Sequence, residues 1–335
     1  MPSPVFIIGA QRSGTTLLRL MLNAHPEIAI PEEGGFWKPL LRICESNVER
    51  QIEGRELQRY IEYIDKDPQF RLWGMEADDL FEDVREKAVT LAELMSFVYV
   101  RYAEQQGKSI WGDKTPSFFR MIDILNKLFP NARFVHIVRD GRDLYLSWRR
   151  IDPTKRNISV TALEWAYKVR QAQQAMKKMM PEKWLEVRYE DLVRDPKGKL
   201  MEVCGFLSID YKPGMLEYWK TSDSFIGKHH SKLIFKPVSS ESVGKWKRKL
   251  SKKENRKFEL VAGRMLASRG YELASDGSAS LGVIGEVIVE LIWGLPLGSV
   301  QVFIIALSQY LSAKYGIVIM EPKVGSAPSM SKEKR

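Results

Sequence analysis

The sequence predicts an α/β protein in which helices flank a central parallel sheet, with an apolar helical extension at the C-terminal end. Three observations carry this expectation. Short runs of β-branched and aromatic residues alternate with longer stretches of helical spacing, the pattern of βαβ units. The first run, Val5–Gly9, ends in a glycine-rich turn that opens directly onto a helical stretch. Finally, residues 281–320 are strongly apolar, with no charge between Glu290 and Lys314.

Taken in order, VFIIG at 5–9 is a short apolar run closed by glycine and reads as a buried parallel strand. Residues 15–24 carry leucine and methionine at helical spacing and stop before His25-Pro26. Helical patterns follow at 91–105 and 118–129. RFVHIV at 133–138 is a second strand, followed by Asp140-Gly141 and a helical stretch to Arg150. A helical pattern at 159–180 precedes the third strand, WLEVR at 184–188. The composition changes near Ser275–Ser278, dividing the chain into a main domain (1–275), an extension (276–320) and a tail (321–335). The extension reads as two apolar helices, 281–293 and 299–314, joined by Gly294-Leu-Pro-Leu-Gly298. Its charge-free stretch has the length of a bilayer crossing, but the Gly-Pro-Gly break argues against a straight span. A hairpin at a membrane surface, a homo-oligomer contact and packing on the chain's own core all remain open. The tail, rich in Ser, Lys and Pro, has the composition of a disordered end.

With 335 residues, 44% hydrophobic and 28% charged, the composition is that of an ordinary globular protein. A net charge of +10 calls for an anionic partner. Lys and Arg concentrate at 139–155 and 228–257, which suggests phosphate groups bound at defined places. No helix joins a basic stripe to base-stacking aromatics, so a nucleic-acid partner is not expected. Two distant cysteines, Cys44 and Cys204, exclude a disulfide framework and suit a reducing compartment. The apolar run after Met1-Pro2-Ser3-Pro4 is too short for a signal core, so a cytoplasmic location is expected. Neither a His/Cys cluster with zinc spacing nor an acidic cluster for magnesium occurs, and no metal is expected.

Two motifs carry chemistry. Gly9-Ala-Gln-Arg-Ser-Gly14-Thr15-Thr16 lies between the first strand and its helix. Glycines so placed let the backbone curl until its N–H groups point inward at a phosphate, and the helix N-terminus adds partial positive charge. The turn is therefore P-loop-like, but a nucleotide triphosphatase loop would have lysine where Thr15 stands. Arg12 is the loop's only cation, and Ser13, Thr15 and Thr16 supply hydroxyls. The second motif is Arg139-Asp-Gly-Arg142 at a strand end, with Ser147 on the following helix. Ligands bind at such strand ends in parallel sheets, and an arginine gives a forked contact to a second phosphate. A surface ion pair of Arg139 with Asp140 is the plainer reading.

GAQRSGTTLLRLMLNAHPEI, DKTP, FPNARFVHIVRDGRD, YEDLVRDP and GKWKRKL, in this order over residues 4 to about 273, resemble the sulfotransferases that use 3'-phosphoadenosine-5'-phosphosulfate (PAPS). The RSGTT form of the loop, with Arg12 and not lysine, resembles the tyrosylprotein branch and its bacterial relatives more than the cytosolic steroid and phenol enzymes. The resemblance implies a single α/β domain that moves a sulfuryl group from PAPS to an acceptor hydroxyl, releasing PAP. It implies that Arg12 contacts the bridging and sulfuryl oxygens while Ser13, Gly14, Thr15 and Thr16 hold the 5'-phosphate. Arg139 and Ser147 match the pair that binds the 3'-phosphate, Tyr189 a residue near the nucleotide, and Lys236, Lys245 and Trp246 a loop closing over the donor. Lys114 matches a lysine near the leaving group, and Glu33 the base glutamate. Gly34-Gly35 depart from the branch, which continues with Thr and Arg, so a peptide tyrosine is one acceptor class among lipid, carbohydrate and small-metabolite hydroxyls.

In-line displacement at sulfur builds charge on the leaving phosphate, which Arg12 or Lys114 would stabilise. The acceptor proton needs a base, and a carboxylate whose pKa is raised by burial suits that task. Glu32 is the alternative to Glu33. His25 reads as structural and His136 as core, while His229 and His230 lie in a polar loop and follow Glu33 as candidates. Two other function classes compete. A nucleotide kinase or NTPase is disfavoured by the missing loop lysine and by the lack of an acid ending a candidate metal-binding strand. A non-catalytic nucleotide-binding relative is disfavoured by the presence of Arg12, Lys114, Arg139 and Ser147.

Overall fold

The computed structural model describes residues 3–75, 81–82, 84, 86–152, 157–220, 232–275 and 279–317. The tail 321–335 and the two loop histidines, His229 and His230, lie outside these residues. A five-stranded, all-parallel sheet forms the centre, in the order β2-β3-β1-β4-β5. Its strands are β1 (Val5–Gly9), β2 (Ile28–Ala29), β3 (Ile110–Asp113), β4 (Arg133–Val138) and β5 (Trp184–Arg188). β1, β4 and β5 fall where the sequence pattern puts them. β2 and β3 are too short to show a pattern; β3 reads Ile-Trp-Gly-Asp, and glycine and aspartate weaken the strand signal.

Successive strand residues point to opposite faces, and both faces are buried. Phe6, Ile8 and Phe134 pack on one side with the helices Trp37–Cys44, Gly54–Asp65, Leu91–Gln105 and Ile122–Leu128. Val5, Ile7, Val135 and Ile137 pack on the other with Thr15–Asn23, Tyr189–Arg194 and Pro196–Leu207. A third apolar cluster lies beyond the carboxyl end of β4, among the helices Gly141–Ile151, Ile158–Lys178 and Lys252–Ser268. The predicted helix at 118–129 is shorter: a 3₁₀ turn, Pro116–Arg120, precedes Ile122–Leu128.

The third cluster is organised around buried charge. Arg142 is fully buried. Its Nη2 donates to Asp140 Oδ2 at 2.8 Å and its Nη1 to Glu259 Oε1 at 2.7 Å. The plain reading of this segment, an exposed Arg139–Asp140 pair, is overturned: the Asp140 carboxylate is taken by Arg142, and both acid and arginine lie in the interior.

The extension differs from expectation. Residues Leu281–Tyr315 form one continuous helix, not two. Gly294 does not break it. A Cβ there would lie 2.6 Å from Val160 Cγ2 and 2.7 Å from Asn157 Nδ2, so this glycine is where the helix crosses a neighbour closely. The helix lies against Trp37–Cys44, Gly54–Asp65, Ile158–Lys178 and Lys252–Ser268. Its acids pair with the helix Lys252–Ser268: Lys257 Nζ lies 2.6 Å from Glu290 Oε1, and Lys253 Nζ pairs with Glu286. Among the described residues no helix is long and apolar enough to cross a membrane.

The Arg142 network yields a direct expectation. Arg142→Ala leaves Asp140 and Glu259 buried without their cation, which costs about 3–5 kcal/mol. Urea unfolding followed by circular dichroism measures the loss; a change of less than about 1 kcal/mol, the scale of a surface pair, contradicts the assigned burial.

Candidate active site

A cleft of about 640 Å³ opens at the carboxyl edge of the sheet. Its wall includes Arg12, Gly14, Thr15 and Thr16 after β1, Arg139 and Ser147 after β4, and Tyr189 after β5. The β1–β4 register explains the meeting: Gly9 lies opposite Ile137, so the two chains leave the sheet at the same level.

The loop after β1 is tightly built. Ser13 is buried and its hydroxyl donates to the Ala10 carbonyl. Gly14 and Arg12 both adopt positive φ, at 102° and 72°. For arginine this is an uncommon backbone state, held here because Arg139 Nη1 donates to the Arg12 carbonyl at 3.1 Å. Arg12 Nε donates to Ser147 Oγ at 3.0 Å, joining the two motifs directly. Burial, together with the nearby Arg139 and Arg150, lowers the Arg12 pKa to about 10. Arg139 Nη2 donates to the Ser242 carbonyl at 2.8 Å, while its buried Nε has no partner among the described residues. The Tyr189 ring packs against the Arg139 guanidinium, 4.3 Å from ring centroid to Cζ.

At the other end the adjacent glutamates divide. Glu32 Oε1 accepts from the buried Arg19 Nη2 at 2.6 Å, which ties it to the helix after the loop. Glu33 Oε1 accepts from Lys114 Nζ at 2.8 Å. Glu33 lines the cleft, whereas Lys114 is fully buried behind it. Beneath this pair lies Asp113, which ends β3. Its Oδ2 accepts from Tyr99 Oη at 2.6 Å and from Thr115 Oγ1 at 3.1 Å, while Oδ1 has no partner among the described residues. Burial pushes the Asp113 pKa up to about 6, against the pull of Tyr99 and Thr115. Gly34 is explained here: a Cβ would meet Tyr99 Oη at 2.4 Å and Asp113 Oδ2 at 2.8 Å. The departure at Gly34 therefore accommodates a buried Tyr–Asp pair.

The remaining candidates are scattered. Lys245 lines the cleft, but Trp246 is buried over Arg142, its ring centroid 3.4 Å from the guanidinium carbon. Lys236 is exposed and does not line the cleft; its carbonyl accepts from Tyr218 Oη. His25 is buried, its Nε2 bonded to the Asp210 carbonyl, and His136 lies in β4 with Nδ1 2.9 Å from Glu186 Oε2, as structural and core residues. The absent strand-ending acid is corrected: β3 ends in Asp113, but that carboxylate faces Tyr99 and Thr115 in the interior. Among the described residues no group of three or more His, Cys, Asp or Glu could hold a metal.

Comparison with known proteins decides the family. The Sulfotransferase family profile matches residues 4–213. The chain belongs to the sulfotransferase family. This sulfotransferase is 28% identical over 288 residues to protein-tyrosine sulfotransferase 1 of Danio rerio, covering 80% of the chain and 72% of that protein. It is 24% identical over 262 residues to the Drosophila melanogaster protein-tyrosine sulfotransferase, covering 72% of the chain but only 46% of the fly protein. It is 26% identical over 323 residues to the nodulation protein NoeE of Sinorhizobium fredii, covering 87% of the chain and 71% of that protein. A sulfotransferase domain from the curacin biosynthetic pathway shares the fold, with a TM-score of 0.55 at 20% identity over 82% of this chain and 99% of that one. The sulfotransferase is thus an enzyme of this class, and the kinase alternative is not favoured.

Sequence reasoning gave no role to Asp113, Tyr99, Arg150 or Asp143. Two of them left a signal: Asp113 opens DKTP, and Asp143 closes the RDGRD run one helical turn before Ser147, on the same helix face.

Asp113 yields a pH-dependent expectation. Its folded pKa of about 6 exceeds the ordinary aspartate value of about 3.9, so the folded state holds the proton more tightly. That contribution to stability is complete below about pH 4 and is lost as pH rises through about 6. The stability of Asp113→Asn relative to the unaltered protein should therefore increase from pH 4.5 to pH 7.5. Urea unfolding at both values reads this; an unchanged difference contradicts the assigned burial of the charge.

Proposed function

We propose that this sulfotransferase takes PAPS as donor and transfers its sulfuryl group to an acceptor hydroxyl, with Glu33 as general base. The observation that supports this most is the convergence of Arg12, Arg139, Ser147 and Lys245 on one cleft at the sheet edge. Cations and a hydroxyl so placed suit a nucleotide with phosphates at two positions. The loop N–H groups and the hydroxyls of Thr15 and Thr16 would receive the 5'-phosphate, and Arg139 with Ser147 the 3'-phosphate.

In the reaction, Glu33 takes the acceptor proton as the acceptor oxygen attacks sulfur. The sulfur bond to the bridging phosphate oxygen breaks, and PAP leaves with the bonding pair. Arg12, on the cleft wall, faces the charge that builds on that oxygen. Lys114 reaches the cleft only through Glu33 and so fixes the direction of the carboxylate. Acceptor classes remain those of the sequence reading, lipid, carbohydrate, small metabolite or peptide tyrosine. The deciding experiment incubates the protein with sulfur-labelled PAPS and a cell extract. Labelled product is expected with the natural chain, and a rate about a hundredfold or more lower with Arg12→Ala. Equal labelling with and without the protein contradicts the proposal.

Glu33→Gln keeps the shape of the side chain but cannot take a proton. Its turnover should fall about 10²–10⁴-fold, the usual general-base contribution, at a nearly unchanged KM for PAPS. Steady-state kinetics with the labelled donor checks this; full turnover in Glu33→Gln, or an equal collapse in Glu32→Gln, moves the base elsewhere.

A further inference from the structure

Asp143 is a buried carboxylate on the cleft wall that the mechanism above does not use. Its two oxygens are both engaged by backbone. Gly244 N donates to Oδ2 at 2.6 Å, and Trp246 N donates to Oδ1 at 2.8 Å. The residue bracketed between those amides is Lys245, whose side chain lines the cleft. Asp143 also stands four residues before Ser147 on the helix Gly141–Ile151, so both project from one helix face.

Neighbouring contacts lock the same loop. Arg139 Nη2 holds the Ser242 carbonyl, and the Arg142 guanidinium carbon lies 3.4 Å from the Trp246 ring centroid. Arg142 is itself pinned by Asp140 and Glu259. Hydrogen bonds from amides to an ionised carboxylate are short and about twice as strong as neutral ones, and two converging on one side chain fix direction as well as distance. An acid beside an anion site would ordinarily repel the anion; here two N–H groups occupy both of its oxygens.

Given the reading that the cleft takes a 3'-phosphorylated nucleotide, we propose that Asp143 is a positioning residue for donor recognition: it clamps the 244–246 backbone so that Lys245 faces the 3'-phosphate end of the cleft. Selection of the 3'-phosphorylated donor then depends on an acid that never touches it. Asp143 and Lys245 act as one unit, and removing either removes the same contribution.

Calorimetry with PAP and with AMP, which lacks the 3'-phosphate, tests this on the full chain. Asp143→Asn, whose amide cannot accept from both N–H groups, should weaken PAP about tenfold and AMP less than about twofold. Lys245→Ala should do the same, and the double variant should bind PAP no more weakly than Lys245→Ala alone. Equal losses for PAP and AMP, or losses that multiply in the double variant, overturn the proposal. Hydrogen exchange in the unaltered protein reads the clamp even if Asp143→Asn fails to fold. The amides of Gly244 and Trp246 should be protected, and rapid exchange at both overturns it. Absence of PAP binding by the unaltered protein would instead sink the donor reading, which the exchange experiment does not depend on.

Discussion

The parallel register of β1 on β4, from Val5 opposite Arg133 to Gly9 opposite Ile137, brings two chain segments to one edge of the sheet at the same height. All later geometry of the site follows from that pairing. The loop after β1 turns back through Gly14, and the chain after β4 presents Arg139 close enough to bond the carbonyl of Arg12. Ser147, two turns along the helix that starts at Gly141, then meets the side chain of Arg12. A one-residue slip of β1 would send Phe6 and Ile8 to the opposite face and lift the loop away from Arg139. Each face packs into its own buried cluster, so the slip would exchange the side chains that the two clusters enclose, and core packing specifies the site.

A second constraint is the pairing of buried cations with carboxylates. Arg19 is buried on Glu32, Lys114 on Glu33, and Arg142 on Asp140 and Glu259. The first two pairs send adjacent glutamates to different partners, with Glu32 bound to the helix after the β1 loop and Glu33 to the residue that follows β3. The cation beside Glu33 is thus delivered by the strand next to β1, while Arg12 comes from β1's own loop. Burial pushes the pKa of Asp113, below them, up to about 6, a perturbation of the kind that concentrates at functional sites.

Much of this was legible in the sequence, for identifiable reasons. β1, β4 and β5 are continuous apolar runs bounded by turns, and the glycine loop and Arg139–Ser147 are local in sequence, so their placement needs only the βαβ rule. β2 and β3 were not legible, because two to four residues carry no period. The pairing of Glu33 with Lys114 spans a long stretch of chain, and the motif resemblance, not spacing, brought both into view. The extension misled because Gly294 and Pro296 look like punctuation; glycine there answers a close crossing that only the packed structure shows. Trp246 was placed beside the donor by its motif, yet its ring belongs to the buried Arg142 stack, and the cleft takes Lys245 from the same loop.

The proposed donor site would take a nucleotide with phosphates at two positions, and its loop has no lysine for a γ-phosphate. Thermal unfolding in the presence of EDTA tests that most directly. PAP, at a concentration of about a hundred times its Kd, should stabilise the protein by about 2.7 kcal/mol without any divalent ion, raising Tm by a few degrees. ATP under the same conditions should leave Tm unchanged. A shift with ATP that requires magnesium, and none with PAP, would contradict the account.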